Sequence, residues 1–440
     1  KAYSELKSVA WIESRQGVGY VVAAANDEND AQDERGGEGA QPGRVNWVSE
    51  VAEKYLDMEK TFDDLFQRFT DESHYSLGSG VASREVYTSE RVAGDIATLL
   101  TGSGPCQYFF SPYKGDKFLR QKLVAFLGTK GVKASSGEIQ ILSETNQALD
   151  FIVTLLVKPG DSVVMEEPVH PDMYRVMELA GAKILTVPVD ENGMNCEVLE
   201  SLLTQTRPRL IFVNSSYHDP TGNILSLERR KKIVELSNRY RVPIVEEDAA
   251  SELVYDGDKL PPIKAFDTTG NVIYIYSFSL TFIPGLSLAF VTGNRDFVRA
   301  LSYLVSVRLM ASDWMTQKLL GMYLDDGSYY SSLATFREIY SGNRDLVCQK
   351  LDALAHLGVR YERPRGGVYV WCRLPDGVDS KHFINRAYNM GVTLIPGHVF
   401  YPYKNGGRDY IRINYSYESR ERLACGMDVL HKALEEELEE

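Results

Sequence analysis

The segment Ser277-Phe278-Ser279-Leu280-Thr281-Phe282-Ile283-Pro284-Gly285-Leu286 is the most informative part of this chain. It follows the apolar run 272–276, which predicts a buried β-strand. Ligands of open α/β sheets bind beyond the carboxyl ends of the strands. We therefore expect the hydroxyls of Ser277 and Ser279, and the side chain of Leu280, to lie at or near a binding site.

Short apolar runs alternate with amphipathic stretches through the middle of the chain. A strand predicted at 139–142 leads into a helix at 146–156, and another helix is predicted at 227–239. This alternation is typical of a doubly wound, mostly parallel sheet with helices on both faces, so we assign the α/β class. The other strands predicted in this series are 162–165, 182–187, 210–213, 243–245 and 272–276.

The last third of the chain has a different pattern. A long helical stretch at 297–354 precedes a smaller α+β region. Strands are predicted in that region at 368–371 and 410–414. We place a large domain, with its N-terminal arm, at 46–355 and a small α+β domain at 356–440.

Composition excludes several classes of protein. The chain has 440 residues, 44% of them hydrophobic, and a net charge of -13. No run of about 18 apolar residues occurs, so we expect no membrane span and a cytoplasmic protein. The acidic balance disfavours nucleic-acid binding by the chain as a whole, although not by a small basic module at one end. The five cysteines form no C-x-x-C pair, and we expect reduced thiols and no metal site.

The first 45 residues divide into a stub and a linker. Residues 25–45 are acidic, glycine-rich and almost free of large apolar side chains, which predicts a flexible linker. Residues 1–24 predict a short helix at 2–6 and two strands joined at Arg15-Gln16-Gly17-Val18-Gly19. The glycines permit the positive φ angles of a tight hairpin, and Arg15 offers a contact to a DNA phosphate. By itself, such a hairpin is more often purely structural.

The order of letters in the stub carries a resemblance. The pattern A-Y-x-x-L at 2–6, followed by I-E-S-R-Q-G-x-G-Y-V-V at 12–22, resembles the end of the winged-helix domain of GntR-type bacterial repressors. In that family the first letters close the recognition helix, and the R-Q-G-x-G run is the wing. The resemblance makes the stub the C-terminal part of such a domain, whose first two helices would precede residue 1. The candidate DNA contacts are Arg15, Gln16 and Gly17.

From about residue 95 to 434, the order of motifs resembles the fold-type I aminotransferases, which use pyridoxal 5′-phosphate (PLP). Residues 277–286 resemble S-F-S-K-T-x-x-P-G-L, and 217–222 resemble the N-P-T-G loop. Residues 365–369 resemble the G-G-x-Y/F turn, and 411–414 resemble the I-R-L-x-F strand. With the linker and the wing, the chain is similar to the MocR subfamily of GntR regulators. That resemblance implies a homodimer with a pocket at the subunit interface.

In the family, the lysine of S-F-S-K-T forms the Schiff base with PLP and then moves the proton. Leu280 occupies that position, and no lysine occurs between Lys264 and Lys318. An imine requires an amine at this place. We therefore expect covalent PLP binding to be lost.

The residues that the resemblance assigns to the cofactor phosphate are also changed. In the family a glycine and a hydroxyl residue cradle the phosphate at a helix N-terminus, and here Glu144 stands at the glycine position, before Thr145 and Asn146. Glu144 either opposes a phosphate, at roughly 4 kcal/mol for like charges about 4 Å apart, or is an exposed loop residue. The family's phosphate-binding arginine falls at Ser287, and the tyrosine that reaches over from the other subunit falls at Phe110.

The resemblance also assigns the residues around the cofactor ring. Glu247 falls where a carboxylate keeps the pyridine nitrogen protonated, with Asp248 as the alternative if the alignment is off by one. Ala249 replaces the tyrosine, and Asp219 the asparagine or glutamine, that bond the cofactor's O3′. An ionised aspartate can only accept a hydrogen bond. His170 falls where an aromatic ring stacks on the pyridine, and imidazole can stack too.

Arg412 falls at the arginine that grips the substrate carboxylate in the family. It suggests an effector that bears an α-carboxylate, unless it is a salt-bridge arginine on a strand of the small domain. The resemblance thus predicts a MocR-like transcriptional regulator whose aminotransferase-like domain binds an effector and dimerises without transaminase activity. DNA would be bound through the complete winged-helix domain. Two alternatives remain, namely PLP bound non-covalently as the effector and an active PLP-dependent aminotransferase.

Overall fold

The computed structural model describes residues 12–15, 19–22, 68, 73–83, 85–102, 112–309 and 313–439. The chain divides into two compact units, Lys1–Glu59 and Lys60–Glu440. In the first unit, strands β1 (Ile12–Arg15) and β2 (Gly19–Val22) pair antiparallel, with Arg15 opposite Gly19. The hairpin predicted in the stub is thereby confirmed. Outside the described residues lie Gln16, Gly17, the helix predicted at 2–6, the linker predicted at 25–45, and Phe110.

A mixed sheet forms the centre of the second unit. Its inner strands are parallel, while three antiparallel pairings occur towards its two edges. This arrangement confirms the predicted doubly wound, mostly parallel sheet. In spatial order, the eight strands found in the described residues are β4 (Ile139–Leu142), β11 (Ala289–Thr292), β10 (Val272–Ser277), β9 (Ile244–Asp248), β8 (Ile211–Asn214), β5 (Ser162–Glu167), β6 (Lys183–Asp190) and β7 (Gly193–Met194).

Helices cover both faces of this sheet. Because successive side chains of a strand point to opposite faces, Val163 and Met165 of β5 pack in one buried cluster and Val164 packs in another. Burying each such side chain contributes about 1.5–3 kcal/mol. The first cluster is covered by α3 (Thr145–Leu156), α4 (Pro171–Leu179) and α7 (Arg295–Arg308), and the second by α5 (Cys196–Gln205) and α6 (Leu227–Tyr240).

The long helical stretch predicted at 297–354 consists of three helices in the described residues. After α7 come α8 (Trp314–Asp325) and α9 (Ser328–Ala353). Gly327 precedes α9 with a φ of 80°, which a residue with a side chain rarely adopts. Two earlier helices, α1 (Ser89–Gly102) and α2 (Lys117–Thr129), pack against α8.

The small domain is built on an antiparallel sheet. Its strands, in spatial order, are β12 (Arg360–Tyr361), β13 (Tyr369–Arg373), β16 (Tyr410–Asn414) and β15 (Ile395–Pro396). Helices α10 (Ser380–Asn389) and α11 (Arg420–Leu438) complete it, and β14 (Val392–Thr393) pairs in parallel with β3 (Tyr75–Ser76). The predicted α+β character of this region is confirmed. No helix in the described residues is long and apolar enough to cross a membrane.

Candidate functional site

A cavity of about 570 Å³ lies between the large sheet and the small domain. Its walls come from residues at the carboxyl ends of the parallel strands and from β13 and β16. This is where ligands bind in open α/β sheets. Among the predicted site residues, those that line the cavity are Glu144, Thr145, Asn146, His170, Asp219, Glu247, Ala249, Ser279, Leu280, Ser287 and Arg412.

Leu280 forms an apolar part of the cavity wall. Its side chain is 5% exposed and belongs to the same buried cluster as Phe278 and Ile283. Ser277 is buried behind it, and its hydroxyl donates to the Ser279 hydroxyl at 3.0 Å. Among the described residues, none that lines the cavity is a lysine, so this wall offers no amine for an imine.

Glu247 supplies a buried carboxyl group to the cavity. The side-chain amide of Asn214 donates to Glu247, and the backbone N–H of Asn214 donates to Glu166 at 2.7 Å. Burial raises the pKa of Glu247 to about 8, and the neighbouring carboxylates Asp248 and Asp219 add to this rise. Burial also raises the pKa of Glu166 to about 8. Both carboxyl groups are therefore mainly protonated at neutral pH.

Asp248, the alternative to Glu247, does not line the cavity. It accepts hydrogen bonds from Ser251 Oγ at 2.6 Å and Tyr274 Oη at 2.5 Å, and Lys130 Nζ lies 3.7 Å away. Burial would raise the pKa of Asp248, but Lys130 and these donors hold it below its usual value. Of these two carboxyl groups, only that of Glu247 lines the cavity.

His218, which was not among the predicted site residues, lies close to Glu166. Its Nε2 lies 3.6 Å from Glu166 Oε2, and its Nδ1 lies 2.9 Å from Thr221 Oγ1. Burial lowers the pKa of His218 to about 4. Because His218 is neutral and Glu166 is mainly protonated at pH 7, the two are polar neighbours and not an ion pair.

Arg412 is tied to a carboxylate of its own chain. Its Nη1 donates to both carboxylate oxygens of Asp219, each at 2.7 Å, and its Nη2 donates to the carbonyl of Gly78 at 2.9 Å. The side chain is 3% exposed, and the guanidinium lies 4.2 Å from the ring centre of Tyr369. Burial alone would lower the pKa of Arg412, but Asp219 holds it above its usual value.

This pairing bears on the predicted carboxylate clamp. Arg412 lines the cavity, as the resemblance to aminotransferases implies, and it also makes the salt bridge that was the alternative. A ligand carboxylate would have to displace Asp219 or share the guanidinium with it. His170 Nε2 lies 3.8 Å from Asp219, so the imidazole is placed to contact the same carboxylate.

Two helix N-termini reach the cavity, and each carries an acidic residue. Glu144 is the residue before α3 and is exposed, and its side chain makes no capping hydrogen bond to that helix. Asp172 lies in the first turn of α4 and accepts a hydrogen bond from Asn146 Nδ2 at 3.1 Å. The sequence left open whether Glu144 faces the site or is an exposed loop residue. In the structure it is exposed and also lines the cavity.

Several residues of the cavity were not found from the sequence. They include Gly80, Asp172, Asn214 and Tyr217. Asn214 directly follows the predicted strand 210–213, so the strand-end rule could have identified it. Gly80 gives no such signal, because its role depends on the tertiary structure: a Cβ there would lie 2.0 Å from Tyr369 Oη.

The residues present do not fit PLP as the family holds it. The resemblance puts Leu280 at the position of the Schiff-base lysine, and Leu280 lies in the cavity wall. Glu144 brings a negative charge to the helix end that, by the same resemblance, would meet the phosphate. Ser287 supplies only a hydroxyl in place of a guanidinium, and Ala249 supplies no hydroxyl at all. Asp219, at the position of an amide donor, is an acceptor already engaged by Arg412.

Comparisons with known proteins agree with this fold. A family model described as aminotransferase class I and II matches residues 77–428. The chain is 26% identical over 402 residues to aromatic-amino-acid aminotransferase 1 of Thermococcus litoralis, covering 90% of this chain and 96% of that one. It is 23% identical over 438 residues to the uncharacterized HTH-type transcriptional regulator YdcR of Escherichia coli, covering 99% of this chain and 90% of that one.

Among solved structures, a multiple substrate aminotransferase from Thermococcus profundus superposes with a TM-score of 0.83 at 27% identity, covering 90% of this chain and 100% of that one. The fold described above is therefore a known aminotransferase fold. Because the family match covers well over half of its length, the chain belongs to the class I and II aminotransferase family.

Proposed function

We propose that this chain is the aminotransferase-like effector and dimerisation module of a MocR/GntR-like transcriptional regulator, and that it does not transaminate. The observation that carries the proposal is Leu280 in the wall of the cavity, with no lysine among the described residues that line it. A family member without this amine keeps a ligand-sized cavity and loses the covalent chemistry. The changes at Glu144, Asp219, Ala249 and Ser287 support the same conclusion.

The regulatory part of the proposal has separate support. The alignment with the HTH-type regulator YdcR spans 99% of this chain, so it includes residues ahead of the aminotransferase match, which begins at residue 77. The β1–β2 hairpin, with Arg15 at its turn, agrees with a wing. These observations favour a DNA-binding module in front of the aminotransferase-like domain.

The position of the cavity suggests how an effector acts. Ligand atoms there would contact the large domain through Glu247 and Leu280, and the small domain through Tyr369 and Arg412. A ligand that bridges two domains favours their closed arrangement. In a homodimer, closure would change the spacing of the two winged helices and hence the affinity for a two-part DNA site.

A transaminase assay tests the enzymatic half of the proposal. The chain is incubated with PLP, a 2-oxo acid and each of the common amino acids, and amino transfer is followed by mass spectrometry. We expect no transfer above a protein-free control. Turnover by the unmodified chain would establish the alternative, an active aminotransferase, to which the relatives named as aminotransferases point.

A DNA-selection experiment tests the regulatory half. A version of the chain with a complete winged-helix domain is used to select sequences from a random pool. We expect a repeated or palindromic site whose affinity falls steeply with salt concentration. The matched control carries Arg15→Ala in the wing, which should bind this site more weakly. Selection of no preferred sequence would contradict a regulatory role and would leave the absence of transaminase activity unaffected.

A further inference from the structure

Carboxylates of the chain itself lie at the groups of this cavity that attract anions. Asp219 takes both hydrogen bonds of Arg412 Nη1 at 2.7 Å. Glu144 stands at the N-terminus of α3, and Asp172 stands in the first turn of α4. Helix N-termini favour negative charge, and here each is provided with it. An anionic ligand would therefore compete with three internal carboxylates.

The charges on the cavity walls have the same implication. Among the described residues, the lining includes four carboxyl groups, of Glu144, Asp172, Asp219 and Glu247, and one guanidinium, of Arg412. Because Glu247 is mainly protonated at neutral pH, the other three carboxylates and Arg412 leave a formal excess of two negative charges. A cleft lined mainly by one sign of charge attracts the opposite sign, because its low-dielectric walls focus the field.

Glu247 has capacity for a further hydrogen bond. Its side chain is held by Asn214 through one oxygen, and the structure shows no partner for the other oxygen among the described residues. The residue is 7% exposed and lines the cavity. Asn214 lines the cavity too, and its Oδ1 is buried without a hydrogen-bond partner. A cation beside Glu247 favours the ionised form of the carboxyl group, in which the free oxygen accepts hydrogen bonds. An ammonium group offers three donors and no acceptor, which then matches this oxygen and Asn214 Oδ1.

We propose that the cavity binds a small organic cation, an amine with an apolar body, whose ammonium group is held by Glu247 and Asn214. The apolar body would pack against Leu280, Phe212 and Met173, which line the same cavity. The inference rests on the proposed function in treating this cavity as the effector site. It replaces the carboxylate-bearing effector expected from Arg412, because that arginine is already paired with Asp219.

A pair of ligands that differ in the sign of one charge tests the proposal directly. Phenethylamine and 3-phenylpropionate share an aromatic ring and a two-carbon spacer, and end in an ammonium group and a carboxylate respectively. Each is titrated into the unmodified chain by calorimetry. We expect phenethylamine to bind at one site per chain, at least tenfold more tightly than 3-phenylpropionate. Equal or tighter binding of the carboxylate, or binding of neither ligand at millimolar concentration, would overturn the proposal.

Three variants locate the binding. Glu247→Gln keeps the shape of the carboxyl group but cannot ionise beside a cation, so it should weaken phenethylamine binding at least fivefold, with a cooperative melting transition confirming that it folds. Glu338→Gln, on the exposed surface of α9, should leave the affinity unchanged. Asp219→Asn should weaken phenethylamine binding and strengthen that of 3-phenylpropionate, because Arg412 loses its internal partner. An unchanged affinity in Glu247→Gln would place the amine elsewhere, whatever the DNA-selection and transaminase experiments show.

Discussion

At the scale of single residues, the Asp219–Arg412 pair is what most separates this cavity from a carboxylate-binding site. An asparagine at position 219 would leave the guanidinium available to a ligand, whereas an aspartate neutralises it. The two residues are 193 positions apart in the sequence, so no local sequence pattern predicts their contact. The structure places both residues in the cavity wall and shows that they are bound to each other.

Asp219→Asn is expected to lower the free energy of unfolding by about 3 kcal/mol, because removing one partner leaves a buried, uncompensated guanidinium. Urea denaturation measures this change. The double variant Asp219→Asn/Arg412→Met should recover much of the lost stability, since no buried charge remains. A single variant as stable as the unmodified chain would show that Arg412 does not depend on Asp219.

Leu280→Lys alone is expected not to create a PLP enzyme. The new amine would lie in the cavity wall, but Glu144, Ala249 and Ser287 would still withhold the phosphate and O3′ contacts. Absorbance spectra recorded after addition of PLP and removal of the excess should show no Schiff-base band. A stable, stoichiometric band in this variant would mean that the rest of the pocket is competent, and the cavity would then have lost only its lysine.

At the scale of elements, the glycine turn at 365–369 of the small domain packs closely against Tyr217 of the large domain. A Cβ on Gly366 would lie 2.2 Å from Tyr217 Cζ and 2.3 Å from the carbonyl oxygen of Leu253. Tyr217 itself has a positive φ of 53° and lines the cavity. Gly366 therefore fixes the loop that carries Asp219.

Gly366→Ala should destabilise the chain by about 1–3 kcal/mol through overpacking, and should displace Tyr217 from the cavity wall. Thermal unfolding and ligand titration together measure both effects. Gly128→Ala, in α2, is the matched control, because a Cβ there meets nothing within 4 Å and alanine favours a helix. Equal melting temperatures for the two variants would contradict this account of the turn.

The sequence predicted most of the elements because their periodicity is local. The strands from 139–142 to 272–276 and the helices at 146–156 and 227–239 are all present in the structure. The antiparallel strand β11, which lies between β4 and β10, was not predicted, since a four-residue apolar run does not reveal its neighbours. Likewise, Asp248 and Glu247 could be distinguished only by the face of β9 on which each side chain lies.

At the scale of the whole molecule, two buried acids make stability depend on pH. The folded-state pKa values of Glu166 and Glu247 are raised by burial to about 8, above the ordinary value of 4.5. Between those values the folded chain binds more protons than the unfolded chain, so its stability falls as pH rises. Lys130 helps to hold the pKa of Asp248 below its usual value. The stability that Asp248 contributes is therefore lost only as the pH falls into the acidic range.

We expect the free energy of unfolding to fall between about pH 6.5 and 8, above the range in which buried His218 makes the opposite contribution, with Glu247 contributing on the order of 1 kcal/mol per pH unit. Glu247→Gln should make this fall shallower, because glutamine does not titrate. Urea denaturation at several pH values measures the slope, and Glu338→Gln should leave it unchanged. A slope identical in all three proteins would show that Glu247 is ionised in the folded chain.

The central claim is that this family member has kept the cavity and lost the cofactor, and a titration with PLP tests it most directly. PLP is added to the purified chain while binding heat and visible absorbance are recorded together. The account predicts no saturable heat and no stoichiometric Schiff-base band. Saturable binding of one PLP per chain, with or without a band, would contradict it, and the band would then distinguish covalent attachment from non-covalent binding.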